Sequence, residues 1–279
     1  MNESETIYYP QDEINTMLLP VTEGCSYNQC TFCSMYKGVE YKETSLEQIR
    51  QVLRNADMYT ERLFLVGADP LCVGFEKMMK ILEEVKKALP YCACVASYTA
   101  VKTLKKYTKD QLAELHDNGL RLLYIGVESG SSKTLGLMHK GHTPLECVEQ
   151  GKKLNEAHLM YNAIIMYGSA GAGECVENAK ETAKMLNQMN PEKIITMNLT
   201  LFMGTKLYNA AEKGDYIPAP VSERCAELSE LIKNLYPEKK VMIDTTHPTN
   251  IKRIRGYLPD EREELLEKLS DKKLSGNKL

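Results

Sequence analysis

Three cysteines, Cys25, Cys30 and Cys33, stand close together in the spacing Cys-x4-Cys-x2-Cys. Thiolates on so short a loop can reach three corners of one cuboidal iron-sulfur cluster. The fourth iron is then left without a protein ligand, which is what a small molecule needs if it is to coordinate the metal. Electron-transfer clusters normally close that corner with a fourth cysteine. Two other readings share the spacing. Structural zinc would want a fourth ligand, and the next cysteines are Cys72 and Cys92. The thiols could also serve a non-enzymatic redox or regulatory protein. The chain has nine cysteines in all, and in a reducing cytosol the scattered ones read as thiols or ligands rather than disulfides.

A loop of this kind needs a rigid element before it and after it. The apolar run 17–21 reads as a buried strand leading into the cysteines, and 44–56 has helical spacing with Thr44 or Ser45 as its cap. The alternation then repeats. Strands are expected over 62–70, 92–99, 121–129, 160–168 and 193–202, and helices over 75–89, 109–119, 143–157 and 176–189. Such pairs imply an α/β fold with a parallel sheet, here a partial (β/α)6 barrel of the TIM type over 1–202. Residues 203–279 are expected to form a C-terminal extension with helices over 222–235 and 260–274 and a frayed end at 275–279. Strands of this kind carry their ligand-binding loops on one edge, where the site is expected.

With the cysteines and these elements in place, the sequence resembles the radical S-adenosylmethionine (SAM) superfamily over nearly its whole length, close to the group of oxygen-independent coproporphyrinogen oxidases. The usual family spacing is Cys-x3-Cys-x2-Cys, so this loop is one residue longer. The resemblance implies a 4Fe-4S cluster on Cys25, Cys30 and Cys33 and SAM bound to its open iron. Phe32 matches the aromatic before the third cysteine, although packing under the loop is an equal use for it, and Tyr36 lies where the following loop meets the adenine. Gly67, Ala68 and Asp69, before Pro70, look like the element that holds the methionine amino group, with Asp69 accepting from the ammonium. Glu128, in Gly126-Val127-Glu128, would take the ribose hydroxyls. Alternation places it on one strand face with Leu122, Tyr124 and Gly126, where a buried carboxylate needs a partner. Lys140 would pair with the methionine carboxylate, and Gly168 would let the backbone approach the adenine.

The family's chemistry cleaves SAM reductively to a 5′-deoxyadenosyl radical that abstracts hydrogen from substrate, which implies an electron donor such as flavodoxin or ferredoxin. Substrate-facing candidates are Tyr98 (with Ser97), Asn162 and Asn198 (with Thr200) near strand ends, and Asp244, His247 and Asn250 in the C-terminal stretch beside Arg253 and Arg255. No residue is singled out as catalytic. The 35 basic and 38 acidic residues leave no large positive field for a nucleic acid, so a small molecule is the expected substrate. A tRNA-modifying radical enzyme remains the alternative, with residues 252–255 as its only dense basic patch near the site. No cobalamin-like domain or second cysteine cluster is present in the sequence, which argues for a compact enzyme. Length and organisation resemble the queuine lyases, which release a 7-deazaguanine base for salvage. Asp244 would then meet the guanine-like edge, and His247 or Asn250 the cyclopentene diol. With no apolar run of about 18 residues and no basic-then-apolar start, a cytoplasmic location without a membrane is expected.

Overall fold

The computed structural model describes residues 7–270. In chain order the elements are β1 (Met17–Pro20), β2 (Thr22–Glu23), β3 (Lys42–Glu43), α1 (Leu46–Arg54), β4 (Arg62–Val66), α2 (Phe75–Ala88), β5 (Cys94–Thr99), α3 (Val101–Leu104), α4 (Lys109–Asp117) and β6 (Leu120–Glu128). There follow α5 (Ser132–Leu137), α6 (Pro144–Glu156), β7 (Met160–Tyr167), α7 (Cys175–Leu186), β8 (Lys193–Asn198), α8 (Lys206–Lys213), α9 (Val221–Asn234), β9 (Val241–Asp244), β10 (Arg255–Leu258) and α10 (Arg262–Ser270). The expected strand and helix alternation is therefore present at each place. Capping chemistry sets several helix starts: Ser45 and Thr108 each form a reciprocal box with the glutamine three residues on, and Thr143 does so with Glu146.

Packing divides the chain into two compact units. The first holds the residues up to Asn28, Met35–Ile125 and Lys153–Met160. Its sheet runs β1-β4-β5-β6, all parallel, with Leu19 beside Leu65, Leu65 beside Ser97 and Ser97 beside Leu123. Leu63, Phe64 and Leu65 are fully buried, as is expected of a strand covered on both faces. The amphipathic α1 and α2 bury Ile49 and Leu53, and Met78, Ile81, Leu82 and Val85.

The second unit holds Gln29–Ser34, Gly126–Lys152 and the chain from Tyr161 onward. Here β7 pairs with β8 and β8 with β9 in parallel, and β10 closes on β9 antiparallel. The last two strands differ from the expectation for the C-terminal stretch, which was helical around irregular chain. Each is only four residues long, too short for alternation to register against a helix signal. The helix expected over 260–274 is present as α10; the remainder of that segment and the end at 275–279 lie outside the described residues. No helix among the described residues is long and apolar enough to cross a membrane.

A buried charge braces the first unit. Glu13, with no exposed surface, accepts from Arg62 Nη2 at 2.5 Å and Nε at 2.9 Å, from Tyr124 Oη at 2.8 Å and from Thr16 Oγ1 at 2.7 Å. Burial pushes its carboxyl up, and the bonds from Arg62, Thr16 and Tyr124 outweigh it, so the pKa lies below the ordinary value. Stability from this group is therefore full above the unfolded carboxyl's pKa and is lost as pH falls through the folded one. Arg62→Met should cost about 2 kcal/mol at pH 7, the low end for a buried pair because the guanidinium is partly exposed. Urea unfolding at pH 7 and pH 3 checks this: the cost should shrink at pH 3, and a cost independent of pH would assign it to lost packing instead.

Candidate functional site

Of the three cysteines after β2, Cys25 belongs to the first unit and Cys30 and Cys33 to the second, and each has its own surroundings. In the first unit Cys25 Sγ accepts from Asn28 N at 3.3 Å. Asn28 has positive φ, +43°, and its Nδ2 ties down Tyr36 O at 3.0 Å. An N–H aimed at the sulfur fixes where this side chain sits. Below the loop Gly67 lets β4 pass against β2. A Cβ there would lie 2.1 Å from Thr22 Oγ1, and φ is +147°, so the position admits no side chain. Next along, half-buried Ala68 leads to Asp69, which is buried and accepts from Thr103 Oγ1 at 2.5 Å, Thr99 Oγ1 at 3.0 Å and Ala100 N at 3.3 Å. Burial raises its pKa and the threonines only partly offset that. Asp69 is thus bound to the start of α3 as well as being placed at the end of β4. Tyr36 packs edge-on against Tyr8. Tyr98 stands edge-on to Phe64 and Tyr124, and burial raises its phenol.

In the second unit the residue between Cys30 and Phe32 does the holding. Thr31 N donates to Met138 O at 3.0 Å, its Oγ1 to Leu137 O at 2.9 Å, and its own O accepts from Leu207 N at 2.9 Å. Sequence reading passes over Thr31 because its bonds are to backbone more than a hundred residues away. Phe32 packs on the cluster of Met138, Met166, Leu199, Leu207 and Tyr216, and Lys140 Nζ lies 5.8 Å from its ring centre. Lys140 in turn bonds Glu128 Oε1 at 2.7 Å. Burial works against the Lys140 charge, and Glu128 with the Cys30 and Cys33 thiols outweighs it, so its pKa is held above the ordinary lysine value. Glu128 ends β6 with φ +63°, a left-handed conformation costly for a side-chain-bearing residue. Its Oε2 is buried with no hydrogen-bond partner.

Several expected assignments change. Lys140 takes Glu128 as its ion-pair partner, where a ligand carboxylate was expected. Gly168 (φ +81°) also makes room for a side chain of the protein: a Cβ there would lie 2.7 Å from Arg224 Cδ, so an arginine stem crosses it. Asn162 is the third residue of β7 and pairs in register with Lys193, the first of β8. It lies at the far end of the strand from Tyr167 and Asn198, which are partners at the other end. Alternation alone cannot tell which end of a strand a residue occupies. Asp244 is taken up by its own turn: Thr246 N and Oγ1 donate at 2.9 and 2.6 Å and Arg255 Nη2 at 2.6 Å. Burial raises its carboxyl, and these donors bring the pKa below the ordinary value. His247 Nδ1 meets Thr249 Oγ1 at 2.8 Å, and burial and Arg253 lower its pKa. Asn250 Nδ2 donates to Thr196 O at 2.7 Å and Thr245 O at 2.8 Å, while its Oδ1 is buried without a partner. Residues 244–250 therefore clasp β8 and β9 to their own loop.

The residues suit a thiolate-held cluster with a polar ligand beside it. All nine cysteines are thiols, a lysine cation acts on Cys30 and Cys33, and a buried carboxylate oxygen close by lacks a donor. Among the described residues no three His, Cys, Asp or Glu side chains are gathered as ligands of a metal ion.

Comparison with known proteins agrees in kind. The profile of the Radical SAM superfamily matches residues 19–204. A tRNA-2-methylthio-N(6)-dimethylallyladenosine synthase of Ehrlichia ruminantium (strain Gardel) is 24% identical over 253 residues, 86% of this chain and 55% of that protein. A biotin synthase of Methanococcus maripaludis (strain C5) is 22% identical over 210 residues, 72% of this chain and 60% of that protein. The chain thus spans little more than half the length of these relatives. Among solved structures, methylornithine synthase superposes with a TM-score of 0.60 at 14% identity, covering 91% of this chain and 68% of that one. Coproporphyrinogen III oxidase from Escherichia coli gives 0.57 at 14%, covering 78% and 51%. These likenesses show the fold, the parallel α/β arrangement of a partial TIM-type barrel.

Two substitutions probe the geometry. Lys140→Met should destabilise the protein by about 3–5 kcal/mol in urea, because Glu128 is left as an unpaired buried charge, and adding Glu128→Gln should recover most of it. No recovery in the double variant would mean that the lysine acts by packing alone. Gly67→Ala should cost about 3 kcal/mol or more in thermal unfolding and less in a Thr22→Ala background, where the obstructing hydroxyl is gone. Equal costs in both backgrounds would assign the penalty to backbone strain.

Proposed function

The chain belongs to the radical SAM superfamily, and from that footing we propose that Cys25, Cys30 and Cys33 hold the 4Fe-4S cluster of an enzyme acting on a small molecule. Cluster and SAM are the family's cofactors, and when bound they supply reductive cleavage of SAM to a 5′-deoxyadenosyl radical able to abstract hydrogen. The observation that carries the assignment is the pair at the end of β6. Glu128 presents a sealed carboxylate oxygen with no donor, and its other oxygen is fixed by the lysine that also acts on Cys30 and Cys33. A ribose hydroxyl would satisfy it. Lys140 then orients Glu128 rather than meeting SAM first. For the methionine ammonium the family resemblance points to Asp69, whose two oxygens here already accept from Thr99, Ala100 and Thr103, so it would have to share them with the cation. Tyr36 and Phe32 are apolar walls, with Phe32 shared between the ligand side and the core.

The substrate is proposed to meet the ends of β7 and β8, at Asn198. Queuine rests on resemblance in length and organisation, since Asp244 is already engaged by Arg255 and Thr246. A second reading, tRNA as substrate, is favoured by the match of 86% of this chain to the tRNA-modifying synthase. Flavodoxin or ferredoxin is the proposed electron source and the cytoplasm the proposed location.

The test is anaerobic formation of 5′-deoxyadenosine from SAM with a chemical reductant. Reconstituted wild type should bind iron and make it, and the Cys25, Cys30 and Cys33 to Ala triple variant should do neither. Glu128→Gln should raise the SAM concentration for half-maximal rate about 10-fold, the worth of one hydrogen bond to a charged group. Parallel arms with queuine and with bulk tRNA read the substrate, through release of a deazaguanine base or through salt-sensitive binding. Wild type without iron and without cleavage would return the cysteines to zinc or redox thiols.

A further inference from the structure

Helix α9 carries a cation, Arg224, that forms no ion pair among the described residues. Arg224 donates from Nη1 to the neutral Asn198 Oδ1 at 3.2 Å, and its Nε is buried without a hydrogen-bond partner. Its stem is fixed by passing across Gly168. Two carboxylates on the same helix bond to backbone and amide groups instead of to the arginine. Glu223 Oε2 accepts from Gly173 N at 2.6 Å, and Glu227 accepts from Gly168 N at 2.7 Å and Asn178 Nδ2 at 2.6 Å. An Arg and a Glu three apart on a helix are able to pair, and here Glu227 is taken by Gly168 and Asn178 instead. Asn198 ends β8 beside Tyr167, which ends β7, so the guanidinium stands at the strand edge where α/β folds take ligands. Lys252, also buried, acts together with Arg224 on the Cys225 thiol, and both lower it against the burial that raises it. A guanidinium whose one hydrogen-bond acceptor is a neutral amide, with a buried Nε left over, is a poor core element and a good anion receptor.

We propose that Arg224, backed by Lys252, is the anion subsite of the substrate pocket and takes an oxyanion group, carboxylate or phosphate, of the substrate. The proposal rests on the reading of the strand edge as the substrate site and adds the substrate's charge to it. Planar Nε and Nη donors suit a bidentate oxyanion, which would also satisfy the stranded Nε.

Cys225, the next residue and half-buried, is a built-in reporter. The experiment measures its alkylation by iodoacetamide, by peptide mass spectrometry, in the anaerobically reconstituted protein with SAM. Sodium acetate, inorganic phosphate and chloride are compared at matched ionic strength. Saturable protection by acetate or phosphate is expected, about 10-fold at about ten times the dissociation constant. Arg224→Gln should abolish it and Arg224→Lys should retain part. The effective anion identifies the group as carboxylate or phosphate. Protection equal to that by chloride, no protection, or protection unchanged in Arg224→Gln overturns the subsite. So does full protection by SAM alone with nothing added by either anion, which would give the arginine to the SAM carboxylate. Because labelling needs no turnover, protection in a wild type that cleaves no SAM would defeat the proposed function and leave the subsite standing. Cleavage without protection defeats the subsite alone.

Discussion

The second unit depends on one buried ion pair at a strained turn. Glu128 ends β6 in a left-handed conformation that would be poorly populated without a fixed partner, and Lys140, twelve residues on, supplies it at 2.7 Å. The residues after Glu128 carry the constraint further. Ser129 Oγ donates to Asn178 Oδ1 at 2.6 Å, Asn178 Nδ2 to Glu227 Oε1 at 2.6 Å, and Gly168 N to Glu227 Oε2 at 2.7 Å. The loop after β6 and the loop after β7 are thereby tied through α7 and α9. Such a network rigidifies only if its members are satisfied, and burial leaves Glu227 with a raised pKa that these bonds offset in part.

On the other side of the pair lies the cysteine loop. Lys140 stands over Phe32, and Thr31 is bonded to the backbone of Leu137 and Met138, the residues just before the lysine's own turn. The segment 137–140 therefore serves two purposes, closing α5 and holding Cys30 and Cys33 in place by their neighbours. Two cysteines whose neighbours are fixed by bonds to distant backbone, beside a buried lysine, have a supported first shell for a ligand set.

The alternation of strands and helices was legible because long, strongly periodic segments such as 75–89 and 193–202 leave few alternatives. The cysteines were legible because reactive groups so closely spaced have few structural uses. What was not legible follows from the same physics. Thr31 and Arg224 act through partners distant in sequence, and nothing local marks them. The stretch 244–250 reads equally as a substrate contact or a structural clasp, because a turn rich in Asp, Thr, His and Asn has the same composition whether its donors face a ligand or each other. Asn162 was placed on the right strand and at the wrong end of it, since period-two reasoning fixes a face and not a position along the axis.

Unsatisfied atoms distinguish two buried carboxylates of otherwise similar setting. Asp244 and Glu128 are both buried carboxylates with a basic partner. Asp244 has donors on both oxygens, whereas Glu128 has one oxygen sealed and bare. A bare buried oxygen costs about 1–3 kcal/mol, a burden that a stable core would have shed by substitution and that a binding site recovers when its ligand arrives. Arg224 Nε carries the same kind of deficit with the opposite sign. Glu128 Oε2 thus lacks a donor and Arg224 Nε an acceptor, which is the polarity expected if a hydroxyl-bearing cofactor is to be met at the first and an oxyanion at the second.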